Sequence, residues 1–163
     1  MISREDAKSR RKDIEEVARI VVDMALQLHQ DLGPGLLESV YEIVLARMLE
    51  ESGLKVERQK SVPILYRGIE IQEGFRLDLL VDEQLIVELK SVEHVHPLYP
   101  KQLLTYLRLM NLPLGLLINF GTSLMKDGLR RVVNNHTHFA SSRRKRQMKY
   151  SFLGVMFWCT LFP

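Results

Sequence analysis

A chain of 163 residues, 46% hydrophobic and 26% charged, fits one domain with a buried core and excludes a disordered or collagen-like class. The single cysteine, Cys159, excludes an internal disulfide framework and a thiolate zinc cluster. The polar opening MISREDAKSRRK has no apolar signal region, so the expected setting is the reducing cytoplasm. The formal charge of +3 sits at the C-terminal end, where Arg143, Arg144, Lys145, Arg146 and Lys149 occur with no acid from Asn135 onward. Removing these five from the 23 basic residues leaves 18 against 20 acidic ones, so residues 1–134 form a slightly acidic body. Nucleic-acid binding by that body requires a local patch or a metal, not net charge.

Ile14, Val17, Ala18, Val21, Ala25 and Leu28 recur at helical spacing and predict an amphipathic helix over 12–31, ended by Gly33-Pro34-Gly35. A second helical stripe follows (Leu36, Leu37, Val40, Tyr41, Val44, Leu45, Met48, Leu49) and stops at Gly53, so the pair should pack as a hairpin. Glu38 lies in the first turn of that second helix, where the macrodipole favours a carboxylate.

The period then changes. Val62–Gly68 is strand-like, with Pro63 suggesting an edge strand or a strand start. Gly74–Val81 alternates, placing Phe75, Leu77, Leu79 and Val81 on one face and Arg76, Asp78, Leu80 and Asp82 on the other. A tight turn at 82–84 leads into a strand at Leu85–Ser91, and the three strands read as a meander. Helical spacing returns in HPLYPKQLLTYLRLM, with Gln102 and Tyr106 as i,i+4 neighbours. Leu112–Phe120 is almost wholly apolar, as a central strand covered on both faces should be. SLMKDGLRRVVN adds a last strand or a short helix. The order α-α-β-β-β-α-β predicts an α/β fold with a mixed sheet flanked by helices.

Residues 135–163 change character, polar and basic first and then apolar over SFLGVMFWCTLFP, which is too short to span a bilayer. They read as a tail that is solvated or docks on the core or a partner, with a membrane-surface anchor as a lesser alternative.

Alternation puts Glu88 and Lys90 of ELK on one strand face, and a turn at 82–84 pairs residues whose numbers sum to about 166. Asp78 then faces Glu88 at about 5 Å between Cβ atoms. Two opposed carboxylates repel and need a cation, which Lys90 supplies in part and a divalent metal would supply more fully. Carboxylates plus water and a substrate phosphate suit Mg²⁺. On the residues alone, an exposed cross-strand ion-pair ladder is the favoured account of the same pattern.

An aspartate, nine residues, then Glu-Leu-Lys, followed by a helix carrying QLLTY, resembles the PD-(D/E)XK nuclease superfamily. Gly35, Glu38 and Tyr41 of GLLESVY form the Gly-x-x-Glu-x-x-Tyr signature of the GxxExxY family, and the resemblance covers about Val17 to Asn134. It implies a restriction-endonuclease-like core and a Mg²⁺- or Mn²⁺-dependent phosphodiesterase acting on nucleic acid, DNA first. A catalytically inactive module of the same fold, binding nucleic acid or protein, is the alternative. It further implies Asp78 and Glu88 as metal ligands, Lys90 as catalytic lysine, Glu38 as an extra acid beside the metal, and Gln102 as support for substrate or Lys90. Leu77 stands before the aspartate where the name-giving motif has proline. Arg76, Tyr41 and Tyr106 are candidate substrate contacts; Tyr106 serves equally as a core aromatic and Arg76 as half of a structural ion pair. A homodimer is the candidate assembly. The pairs His94/His96 and His136/His138 have alternating spacing, but no third ligand stands at a recognised distance. His94 and His96 follow Lys90 closely enough to line a cleft mouth.

Overall fold

The computed structural model describes residues 12–134. They fold as α1 (Ile14–Leu32), α2 (Glu38–Glu51), β1 (Val56–Tyr66), β2 (Ile69–Val81), β3 (Leu85–Lys90), α3 (Leu98–Met110), β4 (Leu114–Asn119), α4 (Met125–Gly128) and β5 (Leu129–Val133). Among these residues the strands form one five-stranded sheet in the order β1-β2-β3-β4-β5. Its single parallel junction joins β3 and β4, and α3 makes the crossover that such a junction requires. The expected α/β architecture is present, and the final segment supplies both of its candidate elements, α4 and then β5. The stretch 135–163 and the pair His136/His138 lie outside the described residues.

The sheet divides the core in two. On one face α1 and α2 bury Val17, Val21, Leu28, Leu45 and Leu49 against Leu79, Val87, Leu89 and Leu116. On the other, Leu103, Tyr106 and Leu107 of α3 cover Leu77, Leu80, Ile86 and Leu117. Strand β4 is buried along its whole length, which is why it reads as an unbroken apolar run. Gly115 lets α3 approach it: a Cβ there would lie 2.9 Å from Leu103 Cδ1.

The first two strands are longer than the alternation predicts. From Leu77 back to its start, β2 pairs only with β1, because the β2–β3 ladder comprises Leu79–Val81 against Leu85–Val87. The rest is a two-stranded arm closed by Arg67 and Gly68, at φ 51° and 81°, the left-handed pair that a tight hairpin uses. Pro63 and Gly74 look like boundaries in the sequence but lie inside the arm. The register shifts between Val62 and Ile64, and a Cβ on Gly74 would sit 2.8 Å from the Val62 carbonyl oxygen. Glycine is what allows the two strands to close over that irregularity.

One expectation about β2 is corrected. Phe75 and Leu77 pack on the α3 side, whereas Leu79 and Val81 face α1 and α2, so the apolar stripe changes face at Asp78. Regular pairing is interrupted there. The β1 residue opposite, Gln59, stands at φ 50° outside the ladder, and pairing to β3 ends at Leu79↔Val87. The predicted register sum of 166 is correct, yet Asp78 and Glu88 are not a ladder pair. The α2 stripe is also narrower than expected, since Leu37 is 75% exposed and Leu36 and Val40 are also exposed.

Candidate active site

The Gly33-Pro34-Gly35 turn sets the entry to the site. Gly33 and Gly35 adopt φ of 67° and 110°, open to glycine at no steric cost, and redirect the chain from α1 into α2. Tyr41 holds the turn closed: its hydroxyl donates to Gly33 O at 2.6 Å and accepts from Leu36 N at 3.2 Å. Its ring is fully buried and stacks on Phe120, with centroids 4.3 Å apart. The expectation that Tyr41 touches substrate is therefore corrected; it is a positioning residue for the first turn of α2. Tyr41→Phe removes both contacts and should cost about 1–2 kcal/mol. Urea denaturation reads this directly, and an unchanged midpoint would show that the turn is held by other means.

So positioned, Glu38 reaches over the end of the sheet toward Lys90, with Nζ···Oε1 at 3.6 Å. The same ammonium lies 3.0 Å from Glu88 Oε1 and 3.8 Å from Asp78 Oδ2, and it also donates to the Leu89 carbonyl. The Tyr99 ring underlies it at 5.5 Å. Asp78, freed from the ladder, accepts the Leu89 backbone N–H at 2.8 Å, which fixes its carboxylate at the point where β2 and β3 diverge. The structure thus brings together four of the predicted residues, Glu38, Asp78, Glu88 and Lys90, around one cation.

Burial is the chief cause of their altered acidity. It pushes the Glu88 carboxyl up to about 7, with the Asp78 charge adding to the rise and Lys90 opposing it. Glu38 is raised by burial too, against the pull of Lys90. For Lys90, burial favours the neutral amine, but Glu88 first, then Asp78 and Glu38, outweigh it and raise the ammonium pKa. Tyr106 is raised, again mainly by burial.

Gln102, expected to support substrate or Lys90, donates its amide to the Tyr106 hydroxyl. Tyr106 is buried and stacks on Phe75 at 4.1 Å, so the core-aromatic alternative describes its ring, while its hydroxyl accepts the Gln102 amide. Arg76 is exposed, and alternation from Phe75 and Leu77 turns it away from the α3 face, so it does not share the face of Lys90. His94 is exposed and pairs with Glu93, and His96 Nδ1 accepts the Leu98 N–H; neither joins the cluster.

Three supporting residues were missed in the sequence. Ser91 donates to Leu36 O at 2.7 Å, tying the end of β3 to the turn that carries Glu38. Asn119, fully buried, donates to Val92 O and accepts from the N–H groups of Val92 and Gly121, bracing the segment after Lys90. Tyr99 completes the bed under Lys90. Only an asparagine at the end of an apolar strand hinted at any of these.

The carboxylates form a hard, anionic oxygen donor set, and the buried Glu88 Oε2 has no hydrogen-bond partner. Among the described residues no three His, Cys, Asp or Glu side chains are already arranged as a metal cage. Mg²⁺ needs no such cage, since it keeps several waters and takes one or two carboxylates plus substrate oxygens. The residues therefore fit a hard divalent ion, with Asp78, Glu88 and Glu38 as its candidate ligands.

Among known families, residues 15–132 match the PD-(D/E)XK nuclease superfamily. The chain belongs to this superfamily. The match spans the whole sheet except the end of β5 and takes in every member of the Lys90 cluster. No curated protein and no solved structure matches the chain. Among its described residues this nuclease-superfamily domain has no helix long and apolar enough to cross a membrane.

Proposed function

We propose that the chain is a Mg²⁺- or Mn²⁺-dependent nuclease that hydrolyses phosphodiester bonds in DNA, within the GxxExxY branch of its superfamily. The supporting observation is the convergence of Glu38, Asp78 and Glu88 on Lys90 within 4 Å, at the edge where β2 and β3 part. When bound, the metal supplies Lewis acidity toward a phosphoryl oxygen and toward water. Asp78, held by the Leu89 N–H, and Glu88, with its unpartnered oxygen, are its ligands in this reading. Glu38 orients water from the helix start. A bound metal would share the neutralisation of the carboxylates, which would leave the Lys90 ammonium to meet the charge that develops on the phosphate. Residues 1–134 form the nuclease unit and 135–163 an appended tail, in a cytoplasmic protein.

A second reading has its own support. Lys90 already pairs with all three carboxylates, as suits a non-catalytic module that keeps the fold for binding. One experiment separates the two. The nuclease reading expects Mn²⁺-dependent cleavage of DNA that is lost in Asp78→Ala and in Glu88→Ala. It also expects calorimetric Mn²⁺ affinity to rise up to about tenfold per pH unit below pH 7 as Glu88 gives up its proton, and to level off above. Cleavage that survives both substitutions would overturn the assignment of the site, and no Mn²⁺ binding at millimolar concentration would favour the module.

A further inference from the structure

Beside the Lys90 cluster, a groove of about 400 Å³ runs between α3 and the β1–β2 arm, within the range of small-ligand sites. It is lined by the partly exposed Phe75, whose ring is backed by the buried Tyr106, and by Ile64, Leu98 and Leu109. Leu98 and Leu109 are 56% and 40% exposed, an unusual display of leucine on a helix that otherwise packs its apolar side inward. The polar groups stand together on α3: Lys101, Gln102 and Thr105. Gln102 also links the groove to the catalytic cluster, since it binds the hydroxyl of Tyr106, whose acidity Glu88, Lys90 and Asp78 all perturb.

We infer that this groove receives one unpaired nucleobase of the substrate, next to the phosphate being cleaved, so that the preferred substrate is DNA with a single-stranded tail or flap, not intact duplex. The inference rests on the nuclease reading of the neighbouring site. A nucleobase is flat, with apolar faces and polar edges, and stacks on aromatic floors regardless of sequence. Here the partly exposed Phe75 ring, backed by Tyr106, and the leucines match the faces, and Gln102 and Thr105 match the edges. Lys101 supplies the cation for an adjoining phosphate on an otherwise slightly acidic body. An amphipathic peptide helix would need a longer trough and has no use for a lysine-glutamine-threonine wall. A base held in a duplex could not enter, because its faces are covered by its neighbours.

The test measures binding with the full chain in EDTA, by fluorescence anisotropy, so that no cleavage is involved. The probes are a blunt DNA duplex, the same duplex with a single-stranded tail, and the tailed duplex with abasic sites throughout the tail. Tailed DNA should bind roughly tenfold or more tighter than blunt DNA, and the abasic tail should lose that advantage, in keeping with base–aromatic stacking. Thr105→Trp, which fills the groove from an exposed helix position, should reduce tailed DNA to the affinity of blunt DNA. Lys101→Ala should lessen the salt dependence by about one phosphate contact. Equal affinity for all three probes overturns the inference, and because the abasic comparison needs no variant, it decides even if a substitution perturbs folding. The nuclease reading fails separately: tail-specific binding without Mn²⁺-dependent cleavage would sink catalysis and leave the groove, whereas cleavage of blunt duplex without tail preference would do the reverse.

Discussion

Lys90→Ala should lower kcat for DNA cleavage by about 10²–10³-fold, the usual loss when a preorganised donor to developing charge is removed. It should also destabilise the protein, and the pH dependence of that loss identifies its origin. Among the described residues Lys90 is the one cation of the cluster, 3.0 Å from Glu88 and within 4 Å of Asp78 and Glu38. Without it, three carboxylates remain close together, two of them already raised in pKa by burial. Removing one partner of a buried charge group typically costs about 3–5 kcal/mol; the partial exposure of Glu38 brings the expectation down to about 2–3 kcal/mol at pH 8. At pH 5 the loss should shrink, because carboxyl groups with raised pKa values take up protons and stop repelling. Denaturation of wild type and variant at the two pH values measures this. Mn²⁺ offers a further discriminator: binding to the native state alone stabilises in proportion to the logarithm of metal over Kd, so it should raise the variant's Tm more than that of wild type. Lys90→Arg should recover most of the stability and little of the activity, since the charge returns without the compact ammonium geometry. Equal stability of Lys90→Ala and wild type at pH 8 would mean that the carboxylates are neutralised by something other than Lys90.

What could be read in the sequence follows how strongly each element is constrained by burial. The two core-facing helices, β3 and β4 are legible because one face or both are covered, so that apolar spacing states the element type outright. The β1–β2 arm is not, because its outer part, residues 66–72, is exposed on both faces and loses the alternation. Its Pro63 and Gly74 then look like ends where they are parts of an internal bulge. The cluster around Lys90 was legible as a set, Asp78, Glu88 and Lys90 through register arithmetic and Glu38 through the motif resemblance. Its geometry was not. Alternation alone cannot show that β2 rotates at Asp78, a rotation that exchanges the predicted carboxylate pair for a hydrogen bond to the Leu89 N–H. Tyr41 carried the same motif yet turned inward, since a phenol that satisfies Gly33 O and Leu36 N has no hydrogen-bonding reason to face solvent. The second glutamate of the same helix, Glu42, shows the limit of residue type as a guide. It is as buried as Glu88, but it is held by Arg58 at 3.0 Å and by Gln59 at 2.6 Å, and so braces β1 instead of joining the site.

Glu88→Gln should make the protein more stable at pH 8 while abolishing cleavage. The folded carboxyl has a pKa of about 7 against an ordinary value of 4.5. Below pH 4.5 it is protonated in both the folded and unfolded states and contributes no difference. Between 4.5 and 7 the folded protein retains a proton that the unfolded chain has released, so stability falls as pH rises through this window. Above 7 the penalty is complete, about 3 kcal/mol at 1.36 kcal/mol per pKa unit. Glutamine mimics the protonated form in shape and lacks the charge, so its variant should show a flatter stability profile from pH 4.5 to 7 and a higher denaturation midpoint at pH 8. Its amide, however, is a weak ligand for a hard cation and leaves Oε2, the buried oxygen without a partner, unable to supply negative charge to a metal. A gain in stability joined to a loss of Mn²⁺ affinity is the signature of a residue held under strain for its chemistry, because burial raises the cost of exactly the charge that a metal would reward. A purely structural Glu88, retained as the partner of Lys90, makes the opposite prediction: the substitution would then destabilise the protein at pH 8, because the ammonium would lose its nearest counter-charge.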